Sequence, residues 1–422
     1  MTAKPVCPQI VVAQLGARMH YAVPVLLHRL GFLQQLFTDA YTGPGSWFQF
    51  IRWLPRSMHN GHLKRLSQRK ADLPGDKVTA FNLLGLRRAF TLNQESGRNT
   101  RIADAYLQYD KIFYSKLIAS DHLDSATGVY TFNRSGLELL EVAKKRGLYC
   151  LVEQFSASLR ELTTVLAAER ERWAGWETGI DTYWDETVWY PREQRIWDLA
   201  DVIISPSEYV WTTLKKSGVP AHKITTIPYS ISLQSYRGRV HSYDGTRPLR
   251  VLFVGNVSLR KGIPYFLEAA AKLGPKVIAA RLVGPITIKP EKLAPYRNVV
   301  RADGQVSRAE VIDHYDWADV FVLPSLCEGS ATVTYEAKAC GLPVIATPNT
   351  GAWIQDGEDG LIVSIRDSEG LAEALNTFVK QPALVEQMSR AALERASQFS
   401  WEAYERRLGD LAISLHKESS NG

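Results

Sequence analysis

VLFVGNVSLRKG, Val251 to Gly262, runs from four consecutive apolar residues through Gly255 to two cations, Arg260 and Lys261. A helix-forming segment starts at Ile263. A short, uninterrupted apolar run closed by glycine and followed by a helical pattern is the strand–turn–helix unit of a parallel sheet covered on both faces. Sheets of this kind hold ligands beyond the carboxyl ends of their strands. Backbone N–H groups at a helix start attract phosphate, and Arg260 and Lys261 stand where they would neutralise a diphosphate. Alone the signal is weak, because two basic residues before a surface helix are more often solvated.

The alternation extends in both directions. Downstream, the pattern predicts a helix over Ile263–Lys272, strands over Val277–Val283, Val299–Asp303 and Val320–Leu323, a helix ending near Cys340, and a strand over Pro343–Thr347. A last helix, Ser400–Leu415, carries Trp401, Tyr404, Leu408, Leu411 and Leu415 at helical spacing. Upstream, strands fall at Gln9–Leu15, Val129–Asn133, Val202–Ser205 and Ile224–Ile227, with helices at Tyr21–Leu30, Leu137–Lys145 and Ser207–Ser217. Between the halves, YRGRVHSYDGTRP (Tyr236–Pro248) is polar, contains Gly and Pro, and has no apolar period. The reading is α/β with two doubly wound domains, residues 1–236 and 249–399, joined by a linker at 237–248.

Length and composition agree. The chain has 422 residues, of which 45% are hydrophobic, enough for two cores. No run of 18 apolar residues occurs, so no spanning helix is expected, and Met1–Pro8 lacks a basic start and apolar stretch. The expectation is a cytoplasmic protein. Cys7, Cys150, Cys327 and Cys340 have no CxxC or metal spacing, which argues against a disulfide framework or zinc site. The net charge of +6 favours anionic partners weakly. Its local distribution says more. Arg52, Arg56, Lys64, Arg65, Arg69 and Lys70 fall between Ile51 and Lys70 with no acid, beside Trp47, Phe48, Phe50, Trp53 and Leu54. Basic residues beside aromatics suit an anionic membrane surface or anionic acceptor, or equally a solvated loop. Nucleic acid would need denser clustering. Glu169–Asp198, with Trp173, Trp176, Tyr183, Trp184, Trp189, Tyr190 and Trp197, either packs a helical excursion or stacks on an acceptor sugar.

The second chemical stretch is LPSLCEGSATVTYEAKACGLPVIAT, Leu323 to Thr347. Glu328 sits in the loop after a strand, and Glu336 follows with seven residues between. A helix starting near Ala331 puts Glu336 in its second turn, facing the same cleft. Gly329 and Ser330 leave amides open at the helix start. A carboxylate accepting from two vicinal hydroxyls suits ribose or a hexose edge. Paired carboxylates also suit a hydrolase, but the helix start and the upstream cations favour a phosphorylated ligand.

Taken with the following NTGAWIQDGEDGLIV, these segments resemble the donor site of family 4 glycosyltransferases, which are retaining enzymes of the GT-B fold. The likeness covers most of the chain and is sharpest over Val251–Gly360. It implies that the donor is a UDP-, GDP- or ADP-sugar, that Lys261 contacts its diphosphate with Arg260 helping, and that Glu336 binds the ribose. It places Glu328 against the donor sugar and the amides of Gly329, Ser330, Ala331 and Thr332 around sugar and phosphates. Gly304-Gln305-Val306 matches where the family holds the base. Gly255 is the strand-end glycine, and Gly16-Ala17-Arg18 resembles the turn facing the diphosphate across the cleft. Ser205-Pro206-Ser207-Glu208 resembles a structural signature, and 400–415 the helix that crosses back to the first domain. Three departures stand out: Asn256 where many members have Arg, Asn133 where a histidine is common, and Tyr229-Ser230-Ile231-Ser232 in place of NGVD.

His20 either orients a phosphate or acceptor hydroxyl, or is an ordinary hydrogen-bonded ring. No metal is expected, because two cations can replace a divalent ion; Asp303 and Asp356 form no Asp-x-Asp pair. The implied reaction is front-face substitution with retention. The implied acceptors are saccharides or lipid-linked intermediates of polysaccharide or glycoconjugate synthesis, with the basic aromatic stretch favouring a protein peripheral on the inner membrane face. Rival readings are a catalytically silent sugar-nucleotide-binding partner subunit and a GT-B phosphorylase or epimerase.

Overall fold

The computed structural model describes residues 7–53, 66–94, 99–177 and 185–421. Leu54, Arg56, Lys64 and Arg65 of the basic aromatic stretch, and Tyr183 and Trp184, lie outside the described residues, as do the side chains of Arg52 and Trp53.

Two parallel sheets carry the chain. The first contains β1 (Ile10–Gln14), β2 (Leu33–Thr38), β3 (Val78–Ala80), β4 (Gly128–Phe132), β5 (Tyr149–Glu153), β6 (Val202–Ser205) and β7 (Ile224–Thr226), in spatial order 3-2-1-4-5-6-7. The second contains β8 (Leu249–Val254), β9 (Ile278–Val283), β10 (Val300–Gly304), β11 (Val320–Leu323), β12 (Val344–Ala346) and β13 (Gly360–Ile362), in order 10-9-8-11-12-13. In each sheet the chain winds outward, then jumps back beside its first strand, so a switch point lies between β1 and β4 and another between β8 and β11. Ligand crevices open at such points.

The central strands explain themselves: every residue of β1, β4, β5, β6, β11 and β12 is buried, because helices cover both faces. In the first lobe the helices are α1 (Ala22–Arg29), α2 (Asn82–Gln94), α3 (Asn99–Ile118), α4 (Leu137–Lys145), α5 (Leu159–Arg172), α6 (Glu186–Leu199) and α7 (Glu208–Lys216). In the second they are α8 (Ile263–Leu273), α9 (Pro290–Leu293), α10 (Arg308–Trp317), α11 (Thr332–Ala339), α12 (Ser368–Lys380) and α13 (Ala383–Ala396). The last helix, α14 (Trp401–Asn421), sends Tyr404, Leu408, Ala412 and Leu415 into the upstream core beside Ile10, Val12 and Leu26. Gly409 permits the close approach, since a Cβ there would lie 3.1 Å from a Leu30 methyl.

Tyr236–Pro248 is largely irregular and lies on the downstream lobe. The His241 amide donates to Ser389 Oγ (2.8 Å), Tyr243 joins the downstream core, and Arg239 reaches Asp316. The aromatic segment mainly packs: Trp189 and Trp197 are buried, and Trp173 and Trp176 lie against the downstream core. One basic residue leaves the surface reading altogether. Arg69 is turned inward to Asp39 (2.7 Å), which Arg88 also holds (2.9 Å), so it is a buried-pair cation and not part of an exposed basic face.

Candidate functional site

The turn after β8 is shaped by glycines. Gly255 adopts φ +148°, and Gly262, at φ +70°, leaves no room for a side chain: a Cβ there would fall 2.0 Å from the Pro324 carbonyl oxygen. The 3-10 turn Leu259–Lys261 is therefore pressed against the loop after β11, and the Leu326 amide donates to the Arg260 carbonyl (2.9 Å). That contact brings cations and acid together. Lys261 Nζ lies 2.7 Å and Arg260 Nη1 3.0 Å from the same Glu328 oxygen. Burial works to raise the Glu328 pKa, but Lys261 and Arg260 overcome it and hold the carboxyl below its ordinary value. Lys261 is only 7% exposed, and burial lowers its own pKa against the pull of Glu328.

Beyond Glu328 the chain crosses to the other lobe. Gly329 is packed on it so closely that a Cβ would lie 1.8 Å from the Phe155 carbonyl oxygen. Ser207 Oγ, which caps α7, also donates to the Gly329 carbonyl (2.5 Å), and the Ala157 amide donates to the Glu328 carbonyl (3.3 Å). This fixes the start of α11. Among the described residues the amides of Gly329, Ser330 and Thr332 have no hydrogen-bond acceptor, whereas that of Ala331 is spent on Thr350 (3.2 Å). Three of the four predicted amides are open, and Ala331 drops out for that reason.

One turn into α11, Glu336 accepts from the Tyr315 hydroxyl (3.0 Å). Burial raises its pKa, opposed by Tyr236, Tyr315 and Arg308. Across the cleft, Arg18 lies over the Phe155 ring (3.2 Å to its centroid) with Glu153 at 3.4 Å. A cavity of about 810 Å³ between the lobes is lined by Arg18, Arg260, Glu328, Gly329, Ser330, Thr332 and Glu336 together.

Besides Ala331, four predicted positions do not line this cavity. Gly16 shapes the first turn, its amide given to Asp39 (2.8 Å), and Gly255 shapes the β8 turn. Val306 packs against the downstream core, and Lys261 sits behind Glu328. Asn256 is exposed and also lies away from the lining, so it takes no part in the cleft. Asn133, with Arg134 and Arg18, lines a smaller cavity of about 170 Å³. Sequence reasoning missed Arg308, Tyr236 and Tyr315. For Arg308 a signal existed: Ser307 and Glu310 form a capping box that marks the helix start beside it. The two tyrosines have none, because their partner Glu336 is remote in the chain.

Residues 248–381, which hold the cations, both acids and the open amides, match the family described as Glycosyl transferases group 1. The matched span is similar to that family and makes up about a third of the chain. A D-inositol 3-phosphate glycosyltransferase of Paenarthrobacter aurescens is 29% identical over 252 residues, 54% of this chain and 60% of that protein. A putative colanic acid biosynthesis glycosyltransferase, WcaL of Salmonella typhimurium, is 27% identical over 279 residues, 62% of this chain and 68% of that one. The match thus spans only about three-fifths to two-thirds of these relatives. The crystal structure of Anabaena HepE in complex with UDP and glucose aligns over 96% of this chain and all of that one, with a TM-score of 0.60 at 14% identity. Both lobes of the chain therefore follow the GT-B fold, two Rossmann-like domains facing a cleft.

Proposed function

We propose that this chain is a retaining glycosyltransferase of family 4 that moves a sugar from a nucleoside diphosphate donor to an acceptor hydroxyl. One observation carries the reading: Arg260 lines the cleft beside the open amides of Gly329, Ser330 and Thr332 and beside Glu336, with Lys261 behind it on the same Glu328 oxygen. Cations and amides suit a diphosphate, and a carboxylate suits the ribose. HepE, which shares the fold, binds UDP, which supports a uridine donor over a GDP- or ADP-sugar.

In the proposed reaction the anomeric carbon–phosphate oxygen bond breaks and the bond to the acceptor oxygen forms on the same face. The acceptor proton passes to the departing diphosphate, which Arg260 and Lys261 stabilise as charge develops. Glu328 holds both cations in place, and the diphosphate offers them a second anionic partner. The reading needs no divalent ion. Acceptors are saccharides or lipid-linked intermediates of polysaccharide or glycoconjugate assembly, used in the cytoplasm at the inner membrane face. No helix among the described residues is long and apolar enough to cross a membrane, and the contact proposed here is a peripheral one.

A thermal-shift screen against UDP, GDP and ADP sugars tests the donor site, with a rise in Tm expected for one nucleotide class. Product NMR then tests the stereochemistry. No stabilisation by any nucleotide sugar removes the reading, an inverted anomer removes the mechanism, and binding without turnover marks the silent subunit.

A further inference from the structure

A second cavity of about 590 Å³ adjoins the cleft on the upstream lobe and shares Met19, His20 and Trp401 with it. Its wall is unusual. Met19, His20 and Tyr21 are three consecutive non-glycine residues at φ +46°, +52° and +63°. Left-handed backbone costs each such residue about 1–2 kcal/mol, so the turn needs support. Gln14 Nε2 supplies it by donating to the carbonyls of Gly16 (3.1 Å) and Arg18 (3.0 Å). Below, the Tyr21 hydroxyl donates to the Ala40 carbonyl (2.9 Å) inside the core. The arrangement holds His20 exposed where the two cavities meet.

The second cavity is two-natured. Val25, Leu26 and Pro44 give it an apolar side. Arg29 and Lys70 are exposed on its rim, and among the described lining residues Asp72 is the one carboxylate. Neither cation has an ion-pair partner within 4.0 Å among the described residues, although Arg29 acts at longer range on Glu402. Trp47, three residues beyond Pro44 and so within about 11 Å of chain, stacks with Phe50 at 6.0 Å between centroids, the two rings 60% and 50% exposed. Large exposed aromatics beside cations suit a headgroup boundary.

We infer that this cavity is the acceptor subsite and takes a phosphate-bearing lipid. The phosphate sits between Arg29 and Lys70, the alkyl chain leaves over Pro44 towards Trp47 and Phe50, and the hydroxyl end passes His20 into the cleft. This rests on the glycosyltransferase reading and adds the acceptor's chemical class to it. Charge complementarity, an apolar floor, and continuity with the donor cleft each point to that occupant.

The test uses the full chain with decyl phosphate, decyl maltoside and inorganic phosphate, each below micelle-forming concentration, and titration calorimetry. Decyl phosphate is expected to bind at least tenfold more tightly than either of the others. R29Q combined with K70Q should weaken it at least tenfold. D72N should tighten it about threefold, a gain that misfolding cannot imitate. Equal affinity for decyl maltoside, equal affinity for inorganic phosphate, or indifference to all three substitutions overturns the inference. UDP binding to the unaltered protein is measured alongside. A chain that binds decyl phosphate but no nucleotide keeps the subsite and loses the donor reading.

Discussion

Two turns face each other across the cleft, and they are built in opposite ways. The downstream turn at Gly329 presents backbone: its amides are open, its glycine is pressed on the other lobe, and its cations come from the neighbouring β8 turn. The upstream turn at Gly16 spends its backbone internally. Its first amide goes to Asp39, and two of its carbonyls go to Gln14. What it offers the cleft is side chains, Arg18 and His20. The contrast teaches a division of labour: open amides and fixed cations suit a diphosphate common to many donors, whereas side chains suit a partner that differs between relatives.

The sharpest way to break that comparison is to remove a downstream cation. Lys261→Ala should lower kcat/KM by about 10²–10³, the scale of losing one preorganised charge-stabilising group, with steady-state nucleotide release as the measurement. A loss below tenfold would place the diphosphate elsewhere. Next come the glycines. Gly329→Ala forces a Cβ into the Phe155 carbonyl and should cost about 1–3 kcal/mol as overpacking as well as activity. At Gly16→Ala the nearest atom is 3.9 Å away, so only the backbone penalty of about 1 kcal/mol is expected. Paired Tm measurements decide, and equal shifts would erase the asymmetry.

The smallest effect is electrostatic. Burial pushes the Asp110 carboxyl up to about 6 despite Arg192 at 2.5 Å. Its folded form binds the proton more tightly than its unfolded form. Its contribution is therefore full below its ordinary 3.8 and lost as pH rises through about 6. Glu328, held below its ordinary 4.5, contributes above that value and loses the contribution as pH falls through its folded pKa. Urea midpoints against pH should flatten between pH 4 and 6 in Asp110→Asn, and on the acid side only in Glu328→Gln.

The same division governs what could be read from sequence. The downstream elements named from sequence fall within about a residue of expectation where an apolar run is closed by glycine or a cap, as at β8 and β11, whereas β13 and the helices α9, α10, α12 and α13 went unread. Upstream, β2, β3 and β5 went unread. β2 carries Gln34 and Gln35, β3 is a three-residue edge strand, and β5 begins on Tyr149 with its charged end, Glu153, buried. Glu153 is tolerated because the Tyr130 (2.7 Å) and Tyr229 (2.8 Å) hydroxyls donate to it from distant positions. Pairings of that kind leave no local trace. In the site, Arg260, Lys261, Glu328 and Glu336 were legible from spacing. The open state of the Gly329 amide and the closed state of the Ala331 amide depend on partners that only folding supplies.

The end of α5 and the residues just after it reach into the other lobe. Glu177 accepts from the Leu259 amide (2.7 Å) and from Thr287 Oγ1 (2.9 Å), the Lys289 amide donates to the Trp176 carbonyl (2.8 Å), and the Tyr265 hydroxyl donates to Glu169 (2.8 Å). The cation-bearing turn is thus completed by residues encoded before position 248. Excised at that boundary, the downstream fragment would lose Glu177 from its cation-bearing turn, while Thr287 Oγ1 would keep its bond to the Val257 carbonyl (3.1 Å). The span that matches a known family thus depends on residues outside it for the shape of its cleft-side turn.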